Sequence, residues 1–136
     1  MSSAGFTTLI ARADLPAAIA AAVPETPLGE VNSDYTVTEV SIISEAALTA
    51  ADATARTLTL YNRGQAGAGT VVVATLVTNL AGGNWVANDK KLFTLSVVAG
   101  ATTLAAGDAL ECVETVASTG TARANCQLSV YGTNLG

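Results

Sequence analysis

From Val31 to its end the chain is a succession of short segments in which apolar and polar residues alternate, each closed by glycine, asparagine or aspartate. Alternation sends successive side chains to opposite faces of a strand, and the closing residues reverse the chain. Six strands are predicted, over residues 35–43, 56–62, 70–78, 92–98, 109–116 and 124–131, with 85–87 a candidate for a short seventh. In the first of these the alternation slips at Glu39: Val37 lies on one parity, Val40 and Ile42 on the other, as at a bulge or a change of sheet. The second is regular, with Leu58 and Leu60 inward and Thr57, Thr59 and Tyr61 outward. Residues 70–78 are apolar on both parities and read as a central strand. In 92–98, Phe93, Leu95 and Val97 share a face, and 46–55 reads as a loop-like connection. This spacing predicts an all-β domain over residues 31–136, an antiparallel β-sandwich of Greek-key or jelly-roll kind.

Residues 1–30 read differently. Pro16, Pro24 and Pro27 are the only prolines of the chain. Asp14 fits a helix N-cap, Pro16 the first turn, and the alanine-rich residues 17–22 a helix that Pro24 would end. The expectation is an N-terminal arm, residues 1–30, holding one short helix. Its apolar residues Phe6, Leu9, Ile10, Leu15 and Ile19 would lie either on the chain's own domain or on a neighbouring molecule.

Composition narrows the function. The 136 residues carry 6 Lys+Arg, 11 Asp+Glu and no His, a formal charge of −5, and only 12% are charged although 50% are hydrophobic. An acidic chain lacks the basic stripe that nucleic-acid binding requires. Without His it lacks the commonest general base and metal ligand. No apolar run approaches the roughly 20 residues of a membrane-spanning helix, so no membrane partner is expected. A secretory leader is disfavoured: an apolar patch precedes Arg12, and Asp14 and Pro16 interrupt the run that follows. Synthesis in a cytoplasm is the expectation. Alanine and threonine fill roughly a third of the chain, where a soluble domain usually has more charge.

Each familiar catalytic or binding pattern fails. Residues 64–69 are glycine-rich but lack the Lys-Ser/Thr of a phosphate loop and lead into a strand. Glu111 and Glu114, three residues apart in one strand, point to opposite faces, with Glu114 on the parity of Leu110 and Cys112. Asn88-Asp89 and Gly107-Asp108 are isolated turn pairs rather than a calcium loop, and Lys90-Lys91 is too small a doublet for a phosphate surface. Neither a catalytic set, nor a metal site, nor a cofactor is expected. Trp85 is open to three readings: core packing, an interface anchor, or a stacking surface for sugar. Cys112 and Cys126 flank a turn at Ser118-Thr119-Gly120, and a hairpin centred there would set them opposite each other. They are then either buried thiols in contact or a cross-strand disulfide formed outside a reducing compartment.

Four stretches together resemble small virion proteins encoded among the head genes of tailed bacteriophages. They are Arg56-Thr-Leu-Thr-Leu-Tyr-Asn-Arg63, Thr70-Val-Val-Val-Ala-Thr-Leu76, Leu104-Ala-Ala-Gly-Asp-Ala-Leu-Glu111 and Cys126-Gln-Leu-Ser-Val-Tyr131. The resemblance spans residues 35–132 and is to the capsid decoration, or cement, proteins. It implies a non-enzymatic protein on the outer surface of the head, bound to the major capsid protein and to copies of itself, as a trimer above other oligomers. It assigns no individual functional residue. A tail or fibre module, and a carbohydrate-binding or adhesin domain, are the competing expectations.

Overall fold

The computed structural model describes residues 7–136, and these form ten strands and no helix. In chain order they are β1 (Thr7–Leu15), β2 (Glu25–Glu30), β3 (Tyr35–Ser44), β4 (Arg56–Gly64), β5 (Val71–Val77), β6 (Lys90–Leu92), β7 (Thr94–Leu95), β8 (Thr103–Leu104), β9 (Ala109–Val116) and β10 (Cys126–Asn134). Two antiparallel five-stranded sheets result. One runs β1-β10-β3-β6, with β8 also on β3; the other runs β2-β9-β4-β5-β7.

The alternation explains the core. Leu58 and Leu60 of β4, Leu110 and Cys112 of β9, Val40 and Ile42 of β3, and Leu128 and Val130 of β10 are all buried in one apolar cluster drawn from both sheets. The arrangement is compatible with a sandwich, each sheet turning one face inward. The parity slip in β3 is a bulge: Glu39 pairs with Tyr131 and Val37 with Gly132, so Thr38 is the extra residue, and Val37 and Val40 both face inward.

Three expectations are corrected. The N-terminal helix is absent. Residues 7–15 instead pair along β10, with Asp14 opposite Gln127, and residues 25–30 pair with β9. Each sheet thereby gains an edge strand. The chain between them spends its backbone groups elsewhere: Ala17 N–H donates to Asn125 Oδ1, and Ala18 exchanges both backbone hydrogen bonds with Arg123. Helix propensity is a weak preference that such tertiary contacts override. Second, β9 and β10 are not a hairpin; they lie in different sheets, and the chain between them crosses from one to the other. Third, residues 92–98 are not one strand. The chain changes sheets at buried Phe93, between β6 on β3 and β7 on β5, and Val97 is 99% exposed. As a result β5 has the full-length β4 on one side but only the two-residue β7 on the other.

Leu58 and Leu60 have no exposed surface. Truncating either to alanine should cost about 2–5 kcal/mol, the range for a large buried aliphatic residue that leaves a cavity. Urea unfolding measures this, and a near-unchanged midpoint would refute their place in the core.

Candidate functional site

The densest chemistry lies where both sheets end. Arg56 begins β4 on the parity of Leu58, and Glu114 sits near the end of β9 on the parity of Cys112. Both side chains therefore turn into the interior, and Arg123, from the β9–β10 connector, joins them. Arg123 grips Glu114 with two bonds, Nε to Oε1 at 2.7 Å and Nη2 to Oε2 at 2.6 Å, while Arg56 Nη1 reaches Oε1 at 3.2 Å. All three residues are buried.

Two cations share one anion, so the remaining guanidinium hydrogens need other acceptors. Backbone carbonyls supply them. Arg56 donates to the carbonyls of Thr121, Ala22, Ile19 and Ala20. Arg123 donates to those of Pro16, Leu15 and Ala124. These carbonyls belong to the last residue of β1 and to the β1–β2 and β9–β10 connectors, which the cluster binds together. Gly120, at φ 77°, completes the contact: a side chain there would collide with the Ala20 carbonyl.

Burial and the neighbouring charge act differently on the two arginines. Burial pulls Arg56 below its ordinary pKa; attraction by Glu114 opposes this, and repulsion by Arg123 adds to it. Burial works against Arg123 too, but its hydrogen bonds to Glu114 and the attraction of that carboxylate outweigh it, and its pKa is raised. With all five guanidinium hydrogens of Arg56 and every guanidinium nitrogen of Arg123 engaged, the cluster serves as a clamp between connectors.

The cysteines are both free and buried, in different sheets: Cys112 pairs with Thr26 and Leu60, Cys126 with Leu15 and Ser44. Burial, reinforced by the Glu114 charge, pushes the Cys112 thiol up to about 12, and burial also raises Cys126. Such thiols are weak nucleophiles at neutral pH.

The expected interface residues are dispersed. Phe6 lies outside the described residues. Leu15 is buried and Ile10 half-buried against the core, whereas Leu9 and Ile19 are exposed, Ile19 at 76%. Trp85, 2% exposed, packs in the core and bridges Leu48, so its ring offers no surface to a partner or a sugar. Its indole N–H has no partner among the described residues. Glu111 and Glu114 do face opposite ways. On the outer face Glu111 pairs with Arg63 at 2.8 Å, and that guanidinium lies 4.4 Å from the Tyr61 ring centroid. Lys90, of the basic doublet, pairs with Glu39 across the first sheet, and Asp108 caps its own turn by accepting from Ala105 N–H and Asn62.

A cleft of about 500 Å³ opens beside the cluster, lined by Asp14, Leu15, Pro16, Ile43, Glu45 and neighbouring amides, with Cys126 in its wall. It contains two carboxylates and no cationic side chain. No group of three or more His, Cys, Asp or Glu among the described residues is placed to hold a metal ion.

The buried cluster escaped the sequence reading, although parity contained part of it. Arg56 and Glu114 each continue an inward-facing row; what no pattern conveyed was that Arg123, in a connector, would meet them.

Two outcomes follow. Glu114→Ala leaves two buried cations without their anion and should cost about 3–5 kcal/mol, while Glu111→Ala at the half-exposed pair should cost about 1 kcal/mol or less. Equal losses in urea unfolding would refute the clamp. The second concerns pH. Because the folded pKa of Cys112 lies above the unfolded value of 9.0, folding favours the neutral thiol. That contribution is complete below pH 9.0 and disappears as pH rises towards about 12. Stability should fall by about 1.4 kcal/mol per pH unit across this window from this thiol alone. Cys112→Ala should flatten the decline, and an unchanged slope would count against the burial.

Comparison with protein-family models, with curated proteins and with solved structures finds no match to the chain.

Proposed function

We propose that the chain is a structural virion protein that decorates an icosahedral phage head, holding major capsid subunits together and contacting copies of itself. Strand order is the observation that carries this reading. With the two-residue strands set aside, one sheet runs β1-β10-β3-β6 and the other β2-β9-β4-β5, and each step β1–β2, β3–β4, β5–β6 and β9–β10 passes from one sheet to the other. That is the order of an eight-stranded jelly roll, an architecture recurrent in viral capsid proteins and in lectins. Fold alone does not assign function, so the surface has to favour one use.

Two surface features support assembly over sugar binding. Six of the eleven exposed large apolar residues among the described residues lie in connectors: Ile19, Val23, Leu80 and Val86 where the charge cluster lies, and Val97 and Val98 between β7 and β8. Scattered exposed apolar residues are ordinary, but paired ones on projecting loops suit burial against another protein. Among the described residues the aromatic side chains offer little for a sugar platform: Trp85, Tyr35 and Phe93 are buried, Tyr61 carries Arg63, and Tyr131 alone is left partly exposed. A protein that works by occupying joints needs a rigid body and contact area rather than a reactive group. The low charge of 12% fits such use, because charged residues are depleted at interface centres.

The test is to mix purified protein with expanded heads that lack it. Co-sedimentation that saturates, with new density at fixed lattice positions in cryo-electron images, is the expected result. Failure to bind expanded heads while the protein remains folded would overturn the reading.

A further inference from the structure

The sheet edges are unequally protected. Those formed by β6, β7 and β8 are two or three residues long. The β2 edge carries Pro27, a register shift next to it, and Glu25 and Glu30. Short strands, proline, bulges and charge are the usual means of preventing edge-to-edge pairing. β1 is different: nine residues without proline, at the end of its sheet among the described residues. Its one irregularity is the bulge at Ile10, which leaves Ala11–Leu15 as a regular segment against β10.

In that segment Ala11, Ala13 and Leu15 face inward, and Arg12 and Asp14 face outward and are exposed. Neither Arg12 nor Asp14 forms an ion pair among the described residues. Consider this segment against a second copy of itself, antiparallel about a twofold axis. Residues directly opposite must share a face, so only alternate registers keep both copies' inner faces together. With Arg12 on the axis, two guanidiniums oppose each other; with Asp14 on the axis, two carboxylates do. Placing Ala13 on the axis sets Arg12 against Asp14 twice and Ala11 against Leu15.

We propose that β1 is a homotypic docking edge: two copies of the chain pair antiparallel through Ala11–Leu15, centred on Ala13, with Arg12 of each copy facing Asp14 of the other. The occupant is a second copy because the charge pattern is complementary to itself under a twofold, which an isologous contact requires. Asp14 also lines the acidic cleft with Glu45, so Arg12 of the second copy brings a cation to the rim of a cleft that has none. About four to six backbone hydrogen bonds supply the attraction, and the two exposed ion pairs chiefly select the register. Such an edge is weak in solution and strengthens where copies are already held side by side, as on a lattice. The contact is twofold. It therefore produces dimers in solution, or links neighbouring threefold clusters, rather than building the trimer itself. It does not depend on head binding, and its test uses purified protein without heads.

Sedimentation equilibrium should show the wild-type chain associating in a monomer–dimer equilibrium, weakened by salt. Arg12→Asp, which turns both attractive contacts repulsive, should weaken the dimer by about tenfold or more. Asp14→Arg should do the same. The double variant Arg12→Asp with Asp14→Arg should restore association, which a merely misfolded strand could not do. A wild-type chain monomeric up to millimolar concentration, single variants that associate as before, or a double variant that stays dissociated would each overturn the proposal.

Discussion

One carboxylate shared by two guanidiniums, sealed where the two sheets end, is the constraint on which the rest of the structure depends. Removing three charges from water is costly, and a buried ion pair seldom adds net stability over well-packed apolar groups. Its effect here is positional. Glu114 holds Arg56 and Arg123 by direct hydrogen bonds, and their remaining donors then dictate where seven carbonyls must lie. Those carbonyls belong to the end of β1 and to the two connectors that pass from one sheet to the other. Together with the Ala17 bond to Asn125 and the backbone pairing of Ala18 with Arg123, the cluster's claim on these carbonyls overrides the helix that the alanines of residues 17–22 favour.

This arrangement bears on the edges. Because the β1–β2 connector is anchored, β1 is delivered to the side of β10 and β2 to the side of β9. The same anchoring places Asp14 and Pro16 at the lip of the acidic cleft. The edge segment proposed to pair with a second copy therefore runs directly into the connector that Arg123 and Arg56 hold by hydrogen bonds. An edge that docks gains from this, since little backbone ordering remains to oppose association. The opposite end is built differently: Asp108 accepts from Ala105 N–H within its own turn, and Asp34, in the β2–β3 connector, accepts from Ala106 N–H in the β8–β9 connector.

A decoration role asks for rigidity and surface more than for reactive groups, and the physical features fit that demand. Both thiols are buried with raised pKa values, Cys126 at the wall of the cleft, and each charged group of the interior is bonded by its own chain. The surface left over is short in charge and carries apolar residues on connectors. Such a surface is poorly suited to a solitary soluble protein and well suited to repeated contact in an assembly.

The strands were legible because their cause is local. Alternation in residues 56–62 and 109–116 places Leu58, Leu60, Leu110 and Cys112 inward whatever the neighbouring strands are, and the slip at Glu39 marked a real bulge. The all-β character of residues 31–136, the positions of β3, β4, β5, β9 and β10 and the opposed directions of Glu111 and Glu114 could thus be read from the chain, whereas β1 and β2, in residues read as an arm with a helix, and the short β6, β7 and β8 could not. Which strand pairs with which could not, because a turn such as Ser118-Thr119-Gly120 closes a hairpin as readily as it carries the chain across to another sheet. Nor could the fate of residues 16–22, whose local preference is helical but whose carbonyls are claimed by two arginines far away in sequence. Which side of a strand is apolar follows from local alternation along the chain. Partners, edges and the charge cluster arise only on folding, since they are set by backbone hydrogen bonds and by pairings between residues that no local pattern brings together.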